Sequence, residues 1–246
     1  MSTERRKADS GGDAGPSAAA GGTPCAQDSE VARLAALPIA TISDAMDRLG
    51  LGSAVLDPAI RPMTGTRLAG RARTIDRAPM PPNATQAQAA PDLVWAPQHV
   101  VDDARPGVVV VMALRGDVGV AAMGDNMAAR ALVRGVAGVV VDGALRDVAD
   151  VRSAGLPVYA RTAVCRTAAG RMLTLGLDVP VICGGVWIRP GDIVIGDEDG
   201  VVVVPAARAA EVAARGEELA ALEHSSKAFI ESGRTLVEAI QTYKVR

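Results

Sequence analysis

Hydrophobic positions along this 246-residue chain change their period several times, and each change predicts an element. From Asp28 onward Val31, Leu34 and Leu37 recur at helical spacing, and Pro38 stops the run. Ile42, Ala45, Met46 and Leu49 form a second helical stripe within TISDAMDRLG, with Gly50 placed to end it. Leu56 to about Pro79 reads as strand punctuated by Pro and Gly, and APMPPNATQAQAAP as a loop long enough to have a function. The middle of the chain then alternates. VVVVMAL (108–114) predicts a buried strand and GDNMAARALVRG (124–135) a helix; VAGVVVDG (136–143) predicts a strand, ALRDVADVRSAG (144–155) a short helix and LPVYAR (156–161) another strand. That order is the signature of α/β packing with some parallel pairing.

Further on, DVPVICGGVWIRPGDIVIGDEDGVVVVP holds several short β runs, and its Arg-Pro-Gly-Asp and Asp-Glu-Asp-Gly turns predict antiparallel hairpins. Residues from Ala206 to about Thr242 read as helix, rich in Ala, Glu and Arg, with a break near Gly233. One α/β domain with a C-terminal helical segment over 28–246 is expected. Residues 1–27 are small, polar and without periodicity, which predicts a disordered tail. Gly-Gly, Asp and Ser interrupt the apolar stretch a signal peptide needs, and no window reaches the length of a membrane span. A cytoplasmic protein, with no membrane partner, is the expectation.

Composition narrows the chemistry. The chain is 49% hydrophobic and 22% charged with a net charge of −2, so it folds as an ordinary globular protein and presents no overall positive field to nucleic acid. Its five aromatics (Trp95, Tyr159, Trp187, Phe229, Tyr243) are too few for base-stacking platforms. Lysine occurs only at Lys7, Lys227 and Lys244, near the ends, which leaves no central lysine for a Schiff base. Two histidines, His99 and His224, are too few for a multi-histidine metal site within one chain. Cys25, Cys165 and Cys183 are odd in number and lack CxxC spacing, which fits a reducing compartment. Carboxylates, arginines and backbone amides must therefore carry most of any chemistry.

Two places stand out. Gly124-Asp125 opens the helix at 124–135, where amides of the first turn point outward and favour a carboxylate or phosphate. Locally, an aspartate that simply caps its own helix is the commoner arrangement. Arg146 and Asp147 follow the next strand, at the end where ligands collect in α/β folds. An arginine fork there can hold a 2-oxo acid and a neighbouring carboxylate can hold a hard, hydrated cation. Taken as an isolated dipeptide, an exposed charged pair at a helix start is the simpler account. The acids Asp197, Glu198 and Asp199 fit a hairpin tip, Asp44 and Asp47 a solvated helix face, and His224 a surface position. Gly184-Gly185 reads as a bend, and residues between Pro79 and Gln98 as the far wall of a pocket.

Asp125, twenty intervening residues, then Arg146-Asp147 resembles the D-x20-R-D motif of the class II 4-hydroxy-4-methyl-2-oxoglutarate/4-carboxy-4-hydroxy-2-oxoadipate aldolases of the RraA-like family. The likeness includes SDAMDRLG, GVAGVVVDGALRDV, LPVYAR and PGDIVIGDEDGVVVVP, in order, over roughly 40–240. It implies a swivelling α/β/α sandwich around a central mixed sheet or barrel with a C-terminal helix, assembled as a homotrimer or a hexamer of two trimers. It also implies roles: the amides of Gly124, Asp125, Asn126 and Met127 cradle the substrate carboxylate, and Arg146 binds the 2-oxo acid and stabilises an enolate. Asp147 would ligate Mg²⁺ or Mn²⁺, and Asp125 would orient a water on the metal. Glu223 is the candidate for an acid lent by a neighbouring subunit; LGLGSAVLDPAIRP supplies no glutamate for a second. The implied activity is metal-dependent cleavage of a carbon–carbon bond beside a 2-oxo acid, with oxaloacetate decarboxylation through the same pyruvate enolate. Without an interior lysine, a Lewis-acidic metal is the available electron sink.

Other readings compete. The namesake branch of the family supplies non-catalytic regulators that bind ribonuclease E, a branch that by resemblance lacks the intact acid–arginine–acid set. A methyltransferase, suggested by an old family label, finds no glycine-rich adenosyl-binding turn here. A related metal–enolate lyase acting on another 2-oxo or sugar acid remains a third.

Overall fold

The computed structural model describes residues 28–52 and 54–244, so the tail expected over 1–27, with Cys25, lies outside the described residues. Two short helices come first, α1 (Ser29–Ala35) and α2 (Ile39–Arg48). The Asp28 carboxylate caps α1 by accepting from the amides of Glu30 and Val31. β1 (Arg61–Thr64) and β2 (Leu68–Pro79) follow. The stretch expected as loop contains one helical turn, α3 (Gln86–Ala89), because Thr85 Oγ1 accepts from the amide of Gln88. It then runs into a helix the sequence reading did not foresee, α4 (Ala96–Asp102), whose buried Ala96, Val100 and Val101 fall at i, i+4 and i+5.

The alternating middle comprises β3 (Val108–Ala113), β4 (Ala121–Met123), α5 (Asp125–Val133), β5 (Gly138–Leu145), α6 (Val148–Ala154) and β6 (Val158–Ala163). One boundary moves. Ala144 and Leu145, expected in the helix, continue β5 because they pair with Ala121 and Met123 of β4 and with Thr162 and Ala163 of β6. β4 and β7 (Met172–Leu177) were not anticipated. Later come β8 (Val181–Cys183) with β9 (Val186–Ile188), and β10 (Ile193–Asp197) with β11 (Gly200–Val204). Both are hairpins, but the first turns at Gly184-Gly185; Arg-Pro-Gly-Asp only links β9 to β10, which do not pair. Gly184 lies at φ +54°, where a Cβ would also press on the Asp57 amide at 3.0 Å. The helices α7 (Ala209–Glu231) and α8 (Leu236–Tyr243) end the chain, separated at Gly233, φ +94°.

The sheet has nine strands in the order β1-β6-β5-β3-β2-β10-β11, with β4 beside β5 and β7 beside β2. Pairing is parallel through β2, β3, β5 and β6 and between β4 and β5, and antiparallel for β1 with β6, β2 with β7 and β10, and β10 with β11. The edges approach one another: Arg61 on β1 donates to the Asp199 carbonyl in the β10–β11 turn at 2.9 Å, so the sheet is nearly closed as a barrel. Period-two side chains then sort themselves into three cores. Val109, Val111 and Ala113, with Val140, Val194, Val201 and Val203, fill the interior. Val110, Met112 and Leu114 point outward onto α4, α5 and α6, while Ile193, Ile195, Val202 and Val204 face α1, α2 and α7. This is the mixed-sheet α/β architecture with a terminal helix expected above.

One buried ion pair crosses the layers. Asp142, 3% exposed, accepts from Arg161 Nε at 2.6 Å and from the Gly184 amide at 3.0 Å; Arg161 also donates to Asp57 Oδ2 at 2.8 Å. The two hydrogen bonds to Asp142 tie β5, β6 and the β8–β9 turn together. Removing Asp142 leaves the Gly184 amide without a partner and the Arg161 charge with Asp57 alone, so Asp142→Ala should lower the urea unfolding free energy by about 3 kcal/mol. Wild-type stability in that variant would show the network to be dispensable.

Candidate active site

The site lies where β4 and β5 end. β5 is buried at all eight positions. It delivers Arg146 to solvent at its last pairing, where the Arg146 amide donates to the Met123 carbonyl at 3.1 Å. Asp147 then turns the chain into α6 from the left-handed region, φ +55° and ψ +38°, a conformation aspartate tolerates better than most residues. The turn folds the Asp147 carboxylate back onto α5: Oδ2 accepts from the Asp125 amide at 3.3 Å and lies 3.2 Å from Arg146 Nε. So Asp125, Arg146 and Asp147, expected together from their spacing, are together.

Gly124 is the floor of this contact. Its own backbone is extended (φ −143°), a geometry open to any residue. A Cβ there would collide with Asp147 Oδ2 and come within 2.9 Å of Arg146 Nε. Gly124, and not Asp125, is the N-cap of α5, and no side chain caps the helix. The helix-capping account of Asp125 therefore does not hold. Apart from the bond to Asp147, the first-turn amides of this nine-residue helix remain available to an anion.

Gly124, Asp125, Asn126, Met127 and Arg146 line one wall of a cavity of about 460 Å³. The opposite wall comes from the end of β2 (Arg77, Met80), from Gln86, Val94, Pro97 and Gln98, and from Met172 and Thr174 of β7. The segment between Pro79 and Gln98 thus does shape the far side. Among the described residues no lysine lines the cavity. His99, on the same helix as Pro97 and Gln98, is exposed and lies 3.3 Å from Asp103. Asp197 and Asp199 stay in their hairpin turn, where the Asp199 amide donates to Asp197 Oδ1 at 2.9 Å. Glu223 lies on α7, away from this cavity within the chain, and accepts from Thr41 Oγ1 at 3.0 Å. Cys165 is exposed; burial, with Asp142 beside it, pushes the Cys183 thiol far above its ordinary range.

Arg77 and Thr174 escaped the sequence reading. The signal was there: Arg77 stands two residues after Ile75, on the phase of β2 that is buried beneath α4 and α5. A single arginine in a strand already rich in arginine does not announce itself without its neighbours. As for a metal, the described residues bring no three His, Cys, Asp or Glu side chains together. Asp147 and Asp125 alone suit a hard divalent cation that keeps most of its water, or one completed by acids from another subunit.

The family model Aldolase/RraA, for the RraA-like family, matches residues 39–203. A protein of Halalkalibacterium halodurans that carries the provisional name 4-hydroxy-4-methyl-2-oxoglutarate aldolase is 36% identical over 69% of this chain and 73% of its own. Further curated relatives are matched over 32% to 65% of their lengths. An uncharacterized protein from Pseudomonas syringae superposes with a TM-score of 0.77 at 31% identity, over 93% of this chain and all of its own. RraAS2 of Streptomyces coelicolor, described as an unusual member of the RNase ES inhibitor RraA protein family, gives 0.70 at 28%, over 85% and 98%.

Because Gly124 admits no side chain, Gly124→Ala should cost about 1–3 kcal/mol by overpacking against Asp147 and Arg146. Asn126→Ala, two residues on and exposed, should change stability by less than about 0.5 kcal/mol. Urea titrations of the two variants check the contrast.

Proposed function

From the premise that this chain belongs to the RraA-like family, we propose that it is a divalent-metal-dependent lyase. It would cleave the carbon–carbon bond beside a 2-oxo acid, as a 4-hydroxy-4-methyl-2-oxoglutarate aldolase with oxaloacetate decarboxylase activity. The observation that carries the reading is the meeting of Arg146 with the uncapped N-terminus of α5 in the cavity lining, with the Asp147 carboxylate joined to both.

Each residue has work that its position permits. The amides of Gly124 to Met127 bind the C1 carboxylate of the substrate, helped by the positive end of the helix dipole. Arg146 places its guanidinium beside the 2-oxo oxygen. When the bond between C3 and C4 breaks, its electron pair moves into the C2–C3 unit as a pyruvate enolate. Negative charge then grows on the oxygen that Arg146 faces. In the aldol case the 4-hydroxyl gives its proton to the water that Asp125 orients and the far fragment leaves as a carbonyl compound; from oxaloacetate it leaves as carbon dioxide. A proton delivered to C3, through a water that Asp125 orients, completes pyruvate. Asp147 would hold Mg²⁺ or Mn²⁺, with Asp125 touching its water shell, and the cation would supply Lewis-acid polarisation of the 2-oxo group. Glu223 would reach that shell from a neighbouring subunit of a homotrimer or hexamer, which would leave the site incomplete in one chain.

A regulator of ribonuclease E-type enzymes is the second reading, and the likeness to the Streptomyces protein favours it. A shared fold does not decide between them. Pyruvate release from 4-hydroxy-4-methyl-2-oxoglutarate and from oxaloacetate, with Mg²⁺ and then with EDTA, does. Turnover should be chelator-sensitive. It should fall at least ~100-fold in Arg146→Ala and in Asp147→Ala, with thermal melting retained. Undiminished pyruvate from either variant, or none from the wild type with both compounds, would overturn the assignment.

A further inference from the structure

The far wall of the cavity contains an arginine that the fold leaves uncompensated. Arg77 is 6% exposed, and its Nε is buried without a hydrogen-bond partner. Among the described residues no carboxylate pairs with it, and burial alone lowers its pKa to about 10. Two other largely buried guanidiniums nearby do have carboxylates: Arg161 is held by Asp142 and Asp57, and Arg73, whose Nε is likewise unpartnered, reaches Asp178 at 3.4 Å. A buried charge without a partner is among the most costly features a fold can keep, and small apolar replacements are readily found. Its retention against an open cavity points to a partner that comes from outside.

Thr174 supplies the second observation. It sits directly opposite Arg77 in the antiparallel pairing of β2 with β7, so the two side chains share a face of the sheet. Thr174 is 1% exposed, and its Oγ1 is also buried without a partner. Its backbone is locked by the Gln86 side chain, which accepts from the Thr174 amide at 2.6 Å and donates to its carbonyl at 3.2 Å. Leu175, the extra residue where the register slips, is squeezed outward and 46% exposed. Thus a guanidinium and a hydroxyl, both rigidly placed and both unsatisfied, line the cavity that Arg146 lines from the other wall.

We propose that Arg77 and Thr174 form a second anion subsite that takes a carboxylate at the far end of the 2-oxo acid and so selects dianionic substrates over monocarboxylates. The planar guanidinium accepts a carboxylate in two-point contact and the threonine hydroxyl donates to the same group. Binding at both ends fixes the scissile bond between the two walls. Arg77 is in this view a specificity-determining residue. The proposal rests on the reading of the cavity as a 2-oxo acid site.

The test is calorimetric binding, with Mg²⁺ present, of 2-oxoglutarate and of 2-oxopentanoate, which has the same carbon chain but a methyl end. Wild type should bind the diacid at least ~10-fold more tightly. Arg77→Met should abolish that preference by weakening the diacid alone, leaving 2-oxopentanoate within about twofold. It should also melt about 2–4 °C higher than wild type without ligand, because an unpaired buried charge has gone. Thr174→Val, a milder change, should weaken the diacid about threefold or more and spare 2-oxopentanoate, which keeps the question answerable if Arg77→Met does not fold. Equal binding of both acids by wild type, or an undiminished preference in Arg77→Met or Thr174→Val, overturns the subsite while leaving the 2-oxo acid site standing. Binding of neither acid by wild type overturns both.

Discussion

Strand β5 is the constraint on which the rest of the molecule hangs. It is buried at every position and paired on both sides, with β3 and then β4 on one flank and β6 on the other. A strand in that situation cannot shift register by one residue without turning its valines between two different cores. Its end is therefore fixed as firmly as its middle. Arg146 and Asp147 are the next two residues, so their placement inherits the rigidity of the most buried strand. A functional pair on a mobile loop would have no such support.

Close approach then does the remaining positioning. The Arg146-Asp147 turn descends onto the start of α5 where Gly124 offers no side chain, and Asp147 engages the Asp125 amide. Two elements that are distant in sequence meet through the absence of one Cβ. The arrangement is held by the left-handed backbone of Asp147 as much as by any ion pair.

The polar groups of the molecule fall into two kinds. Asp142, Arg161 and Asp57 answer one another and the Gly184 amide, so they close the structure and have nothing left to offer. The uncapped first turn of α5, Arg77 and Thr174 Oγ1 are left unanswered and border the same cavity, whereas the unpartnered Nε of Arg73 lies outside it on a guanidinium that still reaches Asp178. Folding satisfies polar groups almost everywhere, which gives the exceptions their meaning. Kinship to regulators as well as to aldolases makes this distinction more useful than fold, since both share the frame but need not share its unanswered groups.

The sequence by itself determined the class of fold and one wall of the site. Period-two valines in 108–114 and 136–143, helical stripes at 28–49 and the Asp125, Arg146-Asp147 spacing are local patterns, and local chemistry enforces them. It did not reveal α4, whose short apolar face is marked only by what it packs on, nor β4, β7 or the continuation of β5 through Ala144 and Leu145, where pairing across the sheet overrode what those residues prefer alone. Nor could it mark out Arg77 among the arginines of β2. Whether a guanidinium is paired depends on which carboxylates the sheet brings near, and whether Thr174 faces it depends on register. Those are properties of strands meeting at long range, and only the tertiary structure decided them.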